Sequence, residues 1–256
     1  MRTSRSSRES GQALVESALT LPLLLFVVLG TLQLFLALQA RSLAEYAAFR
    51  ATRAGSLNNG DCNRMVHAAI AALVPSFTAF LSPATPGGSP GQKLANAFSL
   101  RAGNKYKPGP DGPNDGAVVW IAREQPLAAA IPQDEDREFD LPGYGGFRLE
   151  VRLIYWYPMS IPFANWVMAR MFLAHWALTP YTALNPLMPA KYANWPGGGP
   201  TGTLNFDIGQ ELSTRVGKGQ YVLPIDTNYS MRMMTPAKQK FFQKQHCDPT
   251  PQGLTP

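Results

Sequence analysis

One uncharged apolar segment, residues 17–40, constrains the chain more than any other feature. It has 24 residues and is rich in Leu, Val and Phe, and about 20 such residues are enough to cross the ~30 Å hydrocarbon core of a bilayer. A cleavable secretory signal has an apolar core of only about 7–15 residues, so the segment is too long for one. The sequence therefore predicts a transmembrane helix.

Arginines in front of this segment indicate its orientation. Arg2, Arg5 and Arg8 precede it, and positive residues that flank a transmembrane helix tend to stay on the cytoplasmic side. We therefore expect a single-pass protein of the inner (cytoplasmic) membrane. Its N-terminus would be cytoplasmic, and the bulk of the chain after Ala40 would be periplasmic or extracellular.

The helical pattern continues beyond the membrane. Residues 41–55 contain good helix formers, and Gly55 is a typical C-terminal stop. We predict one helix over residues 12–55, with a bend or local unwinding at Pro22, whose ring removes a backbone hydrogen bond. Alanines recur at three- and four-residue steps along its outer half. They either let another helix approach closely or reflect only the helix propensity of alanine. These residues are Ala40, Ala44, Ala47, Ala51 and Ala54.

A glycine and a glutamate lie at the cytoplasmic edge of the apolar segment, after a short basic leader at residues 1–11. The order of residues here resembles the type IV prepilin class, and more specifically the TadE/TadG-type pilin-like proteins of tight-adherence (Flp, type IVc) pilus systems. The resemblance implies that a prepilin peptidase cuts between Gly11 and Gln12, and that Glu16 then contacts the free amine of a neighbouring subunit. The matching residues are Gly11, Val15-Glu16, Ala18-Leu19 and Leu21-Pro22-Leu23-Leu24-Leu25.

An acidic residue at this position also has a physical reason. A carboxylate at the bilayer centre costs about 2.5–3.5 kcal/mol. Glu16 would lie only about 6 Å along the helix from a new terminus at Gln12, where the cost is smaller and a partner amine offsets it. The alternative is that Glu16 only marks the cytoplasmic end of an ordinary anchor.

Residues 56–256 predict an extracytoplasmic α+β domain with an antiparallel sheet, packed helices and long loops. An N-cap at Asp61 and helical spacing indicate a short helix that Pro75 ends. Alternating apolar and charged residues predict a half-buried strand over residues 147–158, with its charged side exposed. Further strands are expected over residues 117–124, 220–225 and 227–234.

Other stretches of this domain are loops or an apolar helix. Residues 82–92 and 104–116 are rich in Pro and Gly, and residues 133–140 are acidic, so all three predict exposed loops. Residues 163–178 are apolar but too few to cross a bilayer. They predict a helix that either packs on the sheet or lies at the membrane surface, where Trp166 and Trp176 suit the interface and Arg170 can reach the headgroups.

The chain has two cysteines, Cys62 and Cys247, and both follow the transmembrane segment. In an oxidising compartment a disulfide between them is the natural hypothesis, and two separate thiols are the alternative. Neither the cysteines nor the three histidines have the spacing of metal ligands, so we expect no metal and no cofactor.

The net charge is +6, but the positive residues are scattered, so nucleic-acid binding is not expected. The acids of residues 133–140 lack a third group to orient them for catalysis, so we do not expect an enzyme.

The partners that the resemblance implies are the membrane, other pilin-like subunits along the N-terminal helix, a prepilin peptidase and the tight-adherence assembly platform. Two alternatives stay open. One is an uncleaved single-span anchor with an outer binding or hydrolytic domain, and the other is a secreted protein released after Ala40.

Overall fold

The computed structural model describes residues 6–77, 87–106, 116–131, 147–177 and 206–254. The helices are α1 (Ser6–Leu57), α2 (Cys62–Phe77), α3 (Pro90–Arg101), α4 (Ala164–Ala177) and α5 (Phe206–Gly217). The strands are β1 (Lys105–Tyr106), β2 (Gly116–Ala117), β3 (Val119–Gln125), β4 (Arg148–Pro158) and β5 (Val222–Arg232), and short 3-10 turns cover Ala128–Ala130 and Gln239–Phe241. The predicted class is confirmed: a long apolar helix precedes an α+β domain with antiparallel strands.

A three-stranded antiparallel sheet in the order β3-β4-β5 forms the centre of the outer domain. In its register, Leu153 of β4 lies opposite Ile121 of β3 and Thr227 of β5. The C-terminal segment, which is the described chain after β5 (residues 233–254), covers the other side of β3. Cys247 in this segment donates its backbone N–H to the Ile121 carbonyl at 3.0 Å. Thr250 accepts the Ile121 N–H on its hydroxyl oxygen at 2.8 Å.

Strand β5 corrects the sequence prediction, which split it into two strands at Asp226. The ladder continues through this residue, opposite Ile154, because the Asp226 carboxylate pairs with the Arg152 guanidinium at 2.6 Å. Pro224 also lies within β5. A proline is tolerated there because β5 is an edge strand of the described sheet, and its free side needs no ladder hydrogen bond.

The two faces of the sheet pack against different helices. Helices α1 and α2 contact β4 on the face of Leu149 and Val151, which are at most 1% exposed. On the other face the Trp156 ring contacts the Arg215 guanidinium of α5, whose central carbon lies 4.5 Å from the ring centroid.

The strand predicted at residues 147–158 is confirmed as β4, but the prediction that its charged side is exposed is wrong for Arg152. Arg152 is only 6% exposed, because its guanidinium lies against the sheet in an ion pair with Asp226.

The turn between α1 and α2 lies later than the sequence predicted. Gly55 does not stop α1, which continues to Leu57. A Cβ atom at Gly55 would lie 2.7 Å from Cδ2 of Leu149, so the glycine allows β4 to pack closely on the helix. The turn itself is made by Asn59 and Gly60, with φ angles of 55° and 84°, a region that glycine and asparagine adopt at low cost.

Helix α2 begins as predicted but ends later. The Asp61 carboxylate accepts a backbone N–H of the first turn at 2.9 Å, which is the role of an N-cap. Pro75 was predicted to end the helix, yet α2 continues to Phe77. Its last turn is held by tertiary contact, because the Ser76 hydroxyl bonds to the Tyr155 hydroxyl of β4 at 2.7 Å.

Helix α3 differs from the prediction, because the Pro and Gly content of residues 82–92 indicates a loop there. The helix begins at Pro90 after a capping box, in which the Ser89 hydroxyl accepts the Gln92 N–H and the Gln92 side chain accepts the Ser89 N–H. This Ser-Pro-x-Gln pattern is a readable start signal. Of the predicted loops, residues 82–86, 107–115 and 133–140 lie outside the described residues.

Candidate functional site on the N-terminal helix

The first half of the apolar segment of α1 is exposed. Between Leu14 and Leu25 the large apolar side chains are 49–73% exposed. Of the helices in the described residues, α1 is the one that is long and apolar enough to cross a membrane, with a mean hydropathy of 2.4 and 11% burial in an 18-residue window. A core helix of a soluble domain would be mostly buried. Helix α1 therefore has the length and composition of a membrane-spanning helix, and its first part has the exposure of one.

The candidate processing and assembly residues lie at the start of this half. Helix α1 begins at Ser6 and runs without interruption through Gly11 and Gln12. The Glu16 side chain is exposed, about one and a half helical turns beyond Gly11. The helix is also continuous through Pro22, so the expected local unwinding is not observed, and a bend at this residue stays a prediction.

The second half of α1 is buried by the outer domain. Ala40, Ala44, Ala47 and Ala51 are at most 1% exposed, and this part of α1 contacts α2, β4 and β5. The approach is close enough for the Thr227 hydroxyl of β5 to donate to the Ala44 carbonyl at 3.4 Å. The alanine face therefore packs against the protein's own sheet and α2, and it is not available to a helix of another subunit.

A buried glutamine marks the junction between the two halves. Gln33 is fully buried, and its Oε1 atom accepts the backbone N–H of Ile161 at 3.0 Å. Nearer the start of α1, the Phe26 ring packs edge-on against Phe163, with the ring centroids 5.8 Å apart. The turn before α4 therefore contacts α1 within the predicted transmembrane segment.

Helix α4 itself confirms the helix predicted over residues 163–178, although the side chains of residues 174–177 lie outside the description. It contacts α1, α5 and β5, which agrees with packing on the outer domain. Yet Trp166 and Met171 are 47% and 65% exposed. The helix is thus packed on one side and open on the other.

These observations describe a helix with an exposed apolar half, an acidic residue near its start and a buried half that carries a domain. Residues 11–53 match the family model of TadE-like proteins. The match begins at Gly11 and ends within α1, so the TadE-like part of the chain is this helix. The chain is thus similar to TadE-like proteins over this helix. No curated protein and no solved structure matches the chain significantly.

The domain attached to the TadE-like helix is closed by a disulfide. The sulfur atoms of Cys62 and Cys247 lie 2.00 Å apart, across a sequence separation of 185 residues. The bond joins the first residue of α2 to the C-terminal segment that pairs with β3. The structure therefore contains the disulfide and not two separate thiols.

Arg123 of β3, which was not predicted to have a role, binds the same C-terminal segment. Its guanidinium donates to the carbonyl oxygens of Gly60 and Phe241 at 2.8 Å and of Gln245 at 2.9 Å. It also lies 3.9 Å from the ring centroid of Phe242. Burial lowers the pKa of Arg123 to about 10, so the side chain stays charged at neutral pH. In the sequence Arg123 stands next to Glu124 at the end of an apolar strand, so no local pattern distinguishes it from a surface charge.

Other polar side chains in the described part of the outer domain have structural partners, and Glu211, His67 and His246 are examples. Glu211, at the edge of a depression of about 320 Å³ beside α5, pairs with Arg215 at 2.7 Å. His67 and His246 each bond to a backbone carbonyl oxygen. Among the described residues, no group of three or more His, Cys, Asp and Glu is placed to hold a metal ion. The strongest functional candidate in the described chain is therefore the TadE-like helix.

Proposed function

We propose that this chain is a minor pilin-like subunit that assembles into, or helps to assemble, a tight-adherence pilus after a prepilin peptidase cuts between Gly11 and Gln12. The observation that carries the proposal is the start of the TadE-like match at Gly11, the residue at which the resemblance implies cleavage. The exposed apolar half of α1 supports it, because such a surface needs lipid or other apolar helices around it.

The proposed assembly contact is an ion pair. Cleavage creates an amine at Gln12, and the Glu16 carboxylate lies among exposed apolar side chains such as Leu14 and Leu19. In an apolar environment an unpaired carboxylate is costly, and an opposite charge offsets that cost. A neighbouring subunit that presents its amine to Glu16 would thereby be favoured at one axial position along the helix.

The outer domain supports a minor rather than a major role. It packs on the second half of α1. The exposed apolar side chains between Leu14 and Leu25 are therefore left for contact with other subunits. A domain of about 200 residues on every subunit would limit how closely the helices pack along a fibre. We therefore propose incorporation in few copies, with the membrane and the assembly platform as the other partners.

The N-terminal sequence of the protein purified from membranes tests the cleavage step. Cells with an active prepilin peptidase should yield a chain that begins at Gln12, and cells without it a chain that begins at Met1. A Gly11→Ala variant should stay uncut, whereas the matched variant Ser10→Ala should be cut normally. A chain that begins at Met1 despite an active peptidase contradicts the proposal. A chain that begins at Arg41 would indicate secretion, although that cut would remove the buried Gln33.

The recovery of the protein in sheared pili tests the assembly step. A Glu16→Gln variant should be inserted and cut like the wild type but should be lost from the pilus fraction, because it cannot pair with an amine. Glu45→Gln is the matched control, since Glu45 is exposed on the same helix and pairs with Arg41 at 3.5 Å. Equal recovery of both variants would exclude the ion pair as the assembly contact.

A further inference from the structure

An apolar corner, residues 161–166, protrudes beside α1, and we call it the α4 corner. Phe163 is 55% exposed and Trp166 is 47% exposed, and Pro162 between Ile161 and Phe163 is exposed as well. A cluster of exposed large apolar residues normally marks a surface that another molecule or a membrane covers.

The depth of the α4 corner follows from its contact with α1. The Phe163 ring packs against Phe26 of the membrane-spanning half. If the hydrocarbon core begins at Gln12, its ~30 Å extends to about residue 32 and Phe26 lies about 9 Å inside the outer boundary. A start at Arg8 or at Glu16 changes this depth to about 3 Å or about 15 Å. In each case Phe163 meets α1 below the outer surface of the core.

Phe163 is held in this position against its conformational preference. Its φ angle is 67°, in the left-handed region that a bulky aromatic residue rarely adopts. Such a conformation is unfavourable for a bulky residue and persists only where the surroundings enforce it. Here the Ile161 N–H is anchored on the buried Gln33, and the Asn165 N–H bonds to the Ile161 carbonyl at 3.0 Å. The fold thus maintains an exposed aromatic ring next to the membrane-spanning half of α1.

We propose that the α4 corner inserts into the outer leaflet of the bilayer, so that the chain contacts lipid through α4 as well as α1. Lipid acyl chains are the occupant because the corner is continuous with the exposed apolar surface of α1. Arg170, one turn beyond Trp166, is exposed and long enough to reach the headgroup phosphates. Tryptophan at the interface with a basic side chain above it is typical of helices that lie on a membrane.

Fluorescence quenching of single labelled cysteines tests this insertion. The full chain is placed in vesicles of phosphatidylethanolamine and phosphatidylglycerol, without reductant. The native cysteines are bonded to each other, so Phe163→Cys or Trp166→Cys supplies the single reactive thiol for an environment-sensitive dye. Acyl chains with a doxyl group should quench both labels, and aqueous iodide should quench them several-fold less than a label at a water-exposed site.

A matched control comes from the far end of the outer domain. Met234 is 61% exposed, and its N–H bonds to the Ser56 carbonyl, about 45 Å along α1 from Phe26. A label at Met234→Cys should respond to iodide and not to doxyl lipid, while Leu24→Cys reports the pattern of the membrane-spanning half. Labels at 163 and 166 that both respond to iodide like the label at 234 would overturn the proposal. Labels shielded from both quenchers would also overturn it, because a protein surface would then cover the corner.

Discussion

Cys62 and Cys247 bring the start of α2 and the C-terminal segment together, with their Cα atoms 5.3 Å apart. Next to this bond, Cys247 donates its N–H to the Ile121 carbonyl at the edge of β3. Arg123, two residues further along β3, binds four carbonyl oxygens, of which three lie in the C-terminal segment. The disulfide therefore reinforces a contact that also depends on a strand edge and a buried guanidinium.

Replacing both cysteines by serine should lower the free energy of unfolding by about 2–5 kcal/mol, because the unfolded chain loses a constraint across a long loop. Urea unfolding of the purified protein in detergent measures the loss. Wild type under reductant should behave like the double variant. Alkylation without reductant should find no free thiol in the wild type, and the recovery of two thiols would contradict the pairing.

Gly55→Ala should lower the free energy of unfolding by about 1–3 kcal/mol through overpacking. The added Cβ would lie 2.7 Å from Cδ2 of Leu149 and 2.8 Å from Sδ of Met65. Gly30→Ala is the matched control on the same helix, since a Cβ there meets nothing within 4 Å. It should leave stability unchanged or raise it by up to about 1 kcal/mol. Similar stabilities of the two variants would refute the close contact between α1 and β4.

Gln33→Ala should loosen the turn before α4, because it leaves the Ile161 N–H without its acceptor, a loss of about 1–3 kcal/mol. Hydrogen exchange of a peptide that contains residues 159–165 measures this locally and should become faster. Gln39→Ala provides the comparison, since Gln39 is exposed on the same helix, and exchange should stay at the wild-type rate. Unchanged exchange in Gln33→Ala would show that this bond does not hold the turn.

Mild acid should destabilise the C-terminal segment through His246. Burial lowers the pKa of His246 below its ordinary value of 6.5, and its Nε2 atom bonds to the Leu254 carbonyl at 3.1 Å. The unfolded chain therefore binds a proton more tightly than the folded chain, so the free energy of unfolding falls as the pH drops below about 6.5.

Unfolding curves at pH 7.5 and pH 5.5 measure this dependence. His246→Gln is the control, because its amide can still donate to the Leu254 carbonyl but does not titrate. The difference between the two pH values should be smaller in this variant than in the wild type. If the two proteins show the same difference, the titrating group lies elsewhere in the chain.

The features that the sequence predicted well depend on local patterns. The uncharged segment over residues 17–40 indicates a membrane-spanning helix by composition alone. Alternation predicted β4, and the N-cap at Asp61 predicted the start of α2, because both signals lie within a few residues. The capping box of α3 was equally local and was overlooked.

The features that the sequence missed depend on contacts between distant residues. The Arg152–Asp226 ion pair keeps β5 continuous through Asp226, where the sequence predicted a break. The Ser76–Tyr155 hydrogen bond holds the last turn of α2 beyond Pro75. Arg123 looks like a surface charge until Gly60 and the C-terminal segment surround it. No periodicity in the sequence encodes such partners, because each is brought into place by the packing of several elements.

Hydrophobic length and a short motif are properties of one continuous segment, so the candidate membrane-spanning helix and its TadE-like similarity can be predicted from residue order alone. The use of that helix depends on tertiary contacts. In the folded chain the alanine face packs against the protein's own sheet, and the large apolar side chains between Leu14 and Leu25 stay exposed. Phe163 of the α4 corner also lies against Phe26. These outcomes depend on which surfaces are left over once the core is packed, and that follows from the arrangement of the elements in space.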